Sequence, residues 1–122
     1  MTAPIRVLLA DDDPLVLSGL KMMLAAARQI RVVGEAHDGR EVLPAADSYH
    51  PDIVLMDINM PDMDGLEAIA KIREAPGGAR TLICTLSGHG KTHARRAFEA
   101  GADGHLVKPI GRAELRAVLA RA

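Results

Sequence analysis

Residues 51–65 read PDIVLMDINMPDMDG, and the fold is decided in this stretch. Ile53 to Met56 is an unbroken apolar run that ends on Asp57. A run this short and this apolar fits a strand buried on both faces, so a strand is expected over Asp52–Met56. Asn59, Pro61, Asp64 and Gly65 are turn formers, which predicts a loop over Ile58–Gly65. A helix then follows to about Ala75.

The same strand–loop–helix unit recurs on both sides. Upstream, Ile5–Ala10 reads as a strand, and Asp13-Pro14 as a helix N-cap followed by proline at the first helical position. Val16, Leu20, Met23, Leu24 and Ala27 recur at helical spacing, so that helix is expected from Pro14 to about Arg28. Arg31–Ala36 is a second strand. Asp38 caps a second helix, which Pro44 should weaken or kink. Downstream, Pro76-Gly77-Gly78 is a loop, Thr81–Leu86 a fourth strand and Gly88–Gly90 a loop. A short helix ending at Gly101, a fifth strand over Gly104–Val107 and a last helix over Arg112–Arg121 complete the chain. Strands alternating with helices predict one α/β domain, a parallel sheet with helices on both faces and right-handed crossovers. In such sheets function gathers at the carboxyl ends of the strands.

Composition bounds the possibilities. The 122 residues fit one domain with a core of its own. With one Phe, one Tyr and no Trp, that core must be built from Val, Leu, Ile, Met and Ala. A net charge of -1 lacks the basic footprint of a nucleic-acid binder. The lone Cys84 excludes an internal disulfide and a cysteine zinc site, and a reducing cytoplasm is expected. The N-terminal run has no signal-peptide pattern, and no apolar stretch is long enough to span a membrane.

The polar residues at the expected strand ends are Asp11, Asp12 and Asp13 after the first, Asp57 after the third, Ser87 near the end of the fourth, and Lys108-Pro109 after the fifth. Each alone has an ordinary reading as a cap, a turn residue or a surface lysine. Together they are a chemical set. Converging carboxylates repel unless a hard divalent cation joins them, which favours Mg²⁺, with Mn²⁺ as an alternative. A lysine and a hydroxyl beside such a site suit phosphoryl transfer, in which an Asp carboxylate can be the nucleophile.

Over nearly its whole length the chain resembles the receiver domains of two-component response regulators. The segments that carry the resemblance are IRVLLADDDPLV, VVGEAHDGREVL, PDIVLMDINMPDMDGLEA, SGHG, AGADGHLVKP and the final helix. The first two look most like receivers joined to LuxR-type helix-turn-helix outputs. The resemblance implies a flavodoxin-like, doubly wound five-stranded sheet of order 2-1-3-4-5 with five helices. It implies that Asp57 takes a phosphoryl group from a sensor histidine kinase. It implies that Asp12 and Asp57 ligate Mg²⁺ through side chains, Asn59 through its backbone carbonyl and Asp11 through water. Asp13 is expected mainly to cap. Lys108 would pair with phosphoryl oxygens, and the Lys108–Pro109 bond would be cis. Ser87 is expected as the switch hydroxyl, with Thr85 as the alternative and Gly88 leaving room for the phosphoryl group.

His105 stands where the family usually carries Tyr or Phe and is expected as a surface residue. His89 and His93 are expected to be exposed at the rim. A homodimer on activation, DNA contact only through an output domain outside residues 1–122, and a chain excised from a longer regulator complete the expectation. Two rival readings are a receiver acting only as a phosphorylation-independent interaction module, and a small Mg²⁺-dependent phosphatase of the haloacid-dehalogenase type.

Overall fold

The computed structural model describes residues 3–61, 64–88 and 90–122. Five strands, β1 (Ile5–Ala10), β2 (Ile30–Ala36), β3 (Ile53–Asp57), β4 (Leu82–Ser87) and β5 (Gly104–Val107), form one sheet. Its order is β2-β1-β3-β4-β5 and every pairing is parallel, as expected. The helices are α1 (Pro14–Ala25), α2 (Gly39–Tyr49), α3 (Gly65–Glu74), α4 (Lys91–Ala100) and α5 (Arg112–Leu119).

Side-chain alternation along the strands divides the core in two. Leu8, Val54, Met56 and Ile83 face α2, α3 and α4 through Val42, Ile69, Ile72 and Ala97. Val7, Leu9, Ile53, Leu55, Cys84 and Leu86 face α1 and α5 through Leu17, Leu20, Leu24 and Leu115. Each fully buried Leu or Ile contributes about 1.5–3 kcal/mol relative to exposure. The only Phe, Phe98, is about half exposed and belongs to neither cluster, so the core is aliphatic as the composition required. No helix among the described residues is long and apolar enough to cross a membrane.

Several element boundaries differ from the sequence reading: β2 starts at Ile30 rather than Arg31, and β3 and β4 each start and end one residue later than expected, at Ile53–Asp57 and Leu82–Ser87. α1 stops at Ala25 rather than near Arg28, because the chain turns at Ala27, whose N–H bonds Leu24 O, to bring Ile30 into β2. α5 likewise ends at Leu119. The expected loop at Pro76-Gly77-Gly78 contains a short 3₁₀ turn, Gly78–Arg80, entered through Gly77 at φ 81°. Pro44 sits inside α2 without ending it.

Candidate functional site at the carboxyl edge of the sheet

Strand register brings the acidic residues together. β1 and β3 are neighbours, with Ala10 beside Met56, so Asp11 and Asp57 emerge side by side. β4 lies next, with Leu86 beside Asp57 and Ser87 one residue beyond. β5 follows, with Val107 beside Ser87, and Lys108 N–H donates to Ser87 O at 2.8 Å. The Lys108–Pro109 peptide is cis.

The three successive aspartates divide their work. Asp13 is the α1 N-cap and accepts from Leu15 N–H at 2.9 Å. Asp11 is wholly buried, and its Oδ1 accepts from Asp13 N–H at 2.9 Å. Asp12 is exposed at the rim. Carboxylate oxygens of Asp11, Asp12 and Asp57 lie within 4.8 Å of one another. Asp57 is buried, and its Oδ1 accepts from Asn59 N–H at 2.8 Å.

Lys108 Nζ lies 2.8 Å from Asp11 Oδ2 and 2.9 Å from Asp57 Oδ2. Burial pushes the Asp11 carboxyl above its usual range, against the pull of Lys108 and of the Asp13 N–H. Burial lowers Lys108, but its bonds to Asp11 and Asp57 outweigh that and hold it above the usual lysine value. Three carboxylates against one ammonium leave two negative charges over. With that excess charge, this all-oxygen set fits a hard divalent cation.

The loop from Asp57 to α3 is held by close backbone contact. Gly65 N–H donates to Ile58 O at 3.2 Å, and a Cβ on Gly65 would lie 2.5 Å from Ile58 Cα. Only glycine lets α3 start that close to the strand end, while Asp64 caps the helix through Leu66 N–H. At Gly88 a Cβ would meet nothing within 4 Å, so there is room beside the site but no demand for glycine.

Thr85 and Ser87 are both buried on one face of β4, with Ser87 at the carboxyl edge and Thr85 one pleat deeper. His105 is not a surface residue. It is half-buried and its ring contacts both hydroxyls. The expectation failed because those partners lie 18 and 20 residues away. His93 is half-buried rather than exposed, and His89 lies outside the described residues.

A family described as the response regulator receiver domain matches residues 7–120. The nitrate/nitrite response regulator protein NarL of Escherichia coli (strain K12) is 39% identical over 107 residues, covering 88% of this chain and 49% of that protein. The chain thus spans about half the length of such curated relatives. The signal receiver domain of NarL from Mycobacterium tuberculosis superposes with a TM-score of 0.87 at 35% identity, covering 98% of this chain and 97% of that one. The receiver domain of a Pseudomonas aeruginosa PAO1 sensor histidine kinase, with a magnesium ion in its active-site cleft, superposes with a TM-score of 0.86 at 32% identity, covering 98% and 97%.

Proposed function

The chain belongs to the response regulator receiver family, and from that premise we propose that it is a phosphoryl-accepting switch with Asp57 as acceptor. The observation that carries the reading is the placement of Asp57 against Lys108 Nζ and beside Asp11 and Asp12 at the carboxyl edge of the sheet. The donor is a phosphohistidine on a sensor kinase. An Asp57 oxygen attacks phosphorus, the O–P bond forms as the P–N bond breaks, and the kinase histidine departs with its electron pair.

Residues of this chain carry the rest. The Asn59 N–H holds the Asp57 carboxylate by Oδ1 and fixes its orientation. Lys108 neutralises Asp57 Oδ2 at rest, and its ammonium passes to the phosphoryl oxygens once that carboxylate is esterified. Ser87, nearer the edge than Thr85, donates its hydroxyl to a phosphoryl oxygen. Asp11, Asp12, Asp57 and Asn59 would hold Mg²⁺, and Mn²⁺ would serve in its place. That ion supplies charge neutralisation at phosphorus. A magnesium ion at the corresponding cleft of the Pseudomonas receiver supports this assignment.

Movement of Ser87 toward the phosphoryl group pulls on β4 and biases the face made by α4, β5 and α5 between two arrangements. That face would serve a homodimer and an output domain beyond residues 1–122, controlling transcription in the cytoplasm; the similarity to the transcriptional regulatory protein YdfI of Bacillus subtilis (strain 168) supports the transcriptional output.

Acetyl phosphate with Mg²⁺, followed by intact mass, tests the reading. One phosphoryl adduct is expected on the wild type and none on Asp57→Asn. Absence of a wild-type adduct across pH and metal conditions supports the phosphorylation-independent module instead. Sustained turnover of small phosphate esters would identify a phosphatase.

A further inference from the structure

At the amino edge of the sheet, opposite the edge that carries Asp57, a cleft of about 230 Å³ opens between the last turns of α2 and α3. Its floor is made by Leu43, Ala46 and Ile72, which also pack into the core. Its rim carries the exposed Asp47, His50, Asp52 and Arg80. A cavity of about 150 Å³ admits benzene, so this one has room for about ten non-hydrogen atoms.

The sequence leaves both helix ends short of donors. α2 closes on His50 and α3 on Ala75, and a proline follows each, Pro51 and Pro76. Proline has no N–H, so the carbonyls four residues earlier, Asp47 O and Ile72 O, meet no amide at that position. The next amide along, Asp52 N–H, is spent on Arg6 O at 2.8 Å rather than on Ser48 O. The end of α2 is also held in an unfavourable backbone. His50 takes φ 46°, alone among the described non-glycine residues, and does so directly before a proline. Strain of this kind clusters at ligand sites.

The charge at the cleft favours a cation. The rim holds two carboxylates and one guanidinium, and each helix end adds about half a negative charge. α2 has no basic residue in its last turn to offset this. Of the two in α3, Lys71 lies 3.4 Å from Glu67, and the Arg73 guanidinium is committed to Gly78 O, Gly101 O and the Asp103 carboxylate.

We propose that this cleft binds a small organic cation, a guanidinium or ammonium group on an apolar stem of a few carbons. The stem lies on Leu43, Ala46 and Ile72. The N–H groups of the head donate to the Asp47 carboxylate and to the helix-end carbonyls. A bare metal ion would leave the apolar floor uncovered. Asp52 Oδ2 already accepts from Arg6 N–H at 2.8 Å and helps to hold β1, so Asp47 is the carboxylate to vary.

Titration of the ¹⁵N-labelled full chain with n-butylguanidinium, followed through its amide chemical shifts, tests the proposal. Shifts centred on Asp47, His50, Asp52 and Thr81 are expected, with a Kd on the order of 1 mM for a ligand of this size. n-Butylurea has the same shape without the charge and should bind about fivefold more weakly, as should n-butylguanidinium to Asp47→Asn. Saturating Mg²⁺ should leave the Kd unchanged. Absence of cleft shifts at tens of millimolar ligand, equal binding of n-butylurea, or unchanged binding by Asp47→Asn each overturns the site. So do shifts that centre on Asp11, Asp12 and Asp57 and vanish in Mg²⁺. None of these results bears on Asp57 as acceptor, which the acetyl phosphate adduct reports separately.

Discussion

Replacing Lys108 with methionine keeps most of the side chain's length and removes the charge between Asp11 and Asp57. In the wild type, the ammonium lies 2.8 and 2.9 Å from their Oδ2 atoms. Without it, two carboxylates with oxygens no more than 4.8 Å apart face each other, a repulsion of about 3.5 kcal/mol at an effective dielectric of about 20. The Lys108 side chain is 23% exposed, so water relieves part of this and the expected loss of stability is about 2–3 kcal/mol. Urea unfolding at pH 7.5 in EDTA measures it. The pH dependence has a definite sign. Burial raises the Asp11 carboxyl in the folded chain, so between its unfolded and folded pKa the folded state holds a proton that the unfolded chain has released. The folded state is therefore favoured on the acid side and loses that advantage as pH rises through the folded value. The Lys108→Met deficit should shrink from pH 7.5 to pH 5, and Mg²⁺ at about ten times its Kd should restore about 1.4 kcal/mol at pH 7.5. A deficit below about 0.5 kcal/mol in EDTA, or one indifferent to both pH and Mg²⁺, would refute the view that Lys108 neutralises two buried carboxylates.

Other perturbations test other parts of the site and its frame. Gly65→Ala drives a methyl to 2.5 Å from the Ile58 backbone and should lower stability by about 1–3 kcal/mol in a urea melt, whereas Gly88→Ala meets open space and should change it by less than about 0.5 kcal/mol. Asp38→Ala removes an N-cap that accepts from Arg40 and Glu41 N–H at 2.9 and 3.1 Å, for an expected loss of about 1 kcal/mol by the same assay. Cys84 is buried and its thiol is pushed up to about 12. Native protein at pH 8 should resist a thiol-specific reagent that reacts at once after unfolding in urea, and rapid native labelling would contradict its burial.

The sheet was readable because its strands are apolar runs that end on polar residues. Asp57 and Lys108 are 51 residues apart, yet each could be assigned to a carboxyl edge from its own strand alone. Contacts without a periodic signature were not readable. His105 looks like any polar residue in an alternating strand, and only the pairing of β5 with β4 carries it to Thr85 and Ser87. The end of α1 was missed because Ala25, Ala26 and Ala27 contain no stop signal, and the turn there is imposed by the position of β2. Arg73 was missed for the same reason as His105. Its guanidinium bonds Gly101 O at 2.9 Å, Gly78 O at 2.8 Å, Thr81 O and the Asp103 carboxylate, and the last residue in that set is 30 positions away.

That Arg73 cluster makes α4 a lever with a fixed fulcrum. Its Gly101 end is bolted to α3 and to the approach to β4 by one guanidinium. Its opposite end starts at Gly90 with no side-chain cap, no acidic residue in the first turn, and Lys91 set against the helix dipole. The guanidinium therefore anchors the end of the helix farther from Asp57 and Ser87, and keeps Gly101 and Asp103 in place to hold β5 in register.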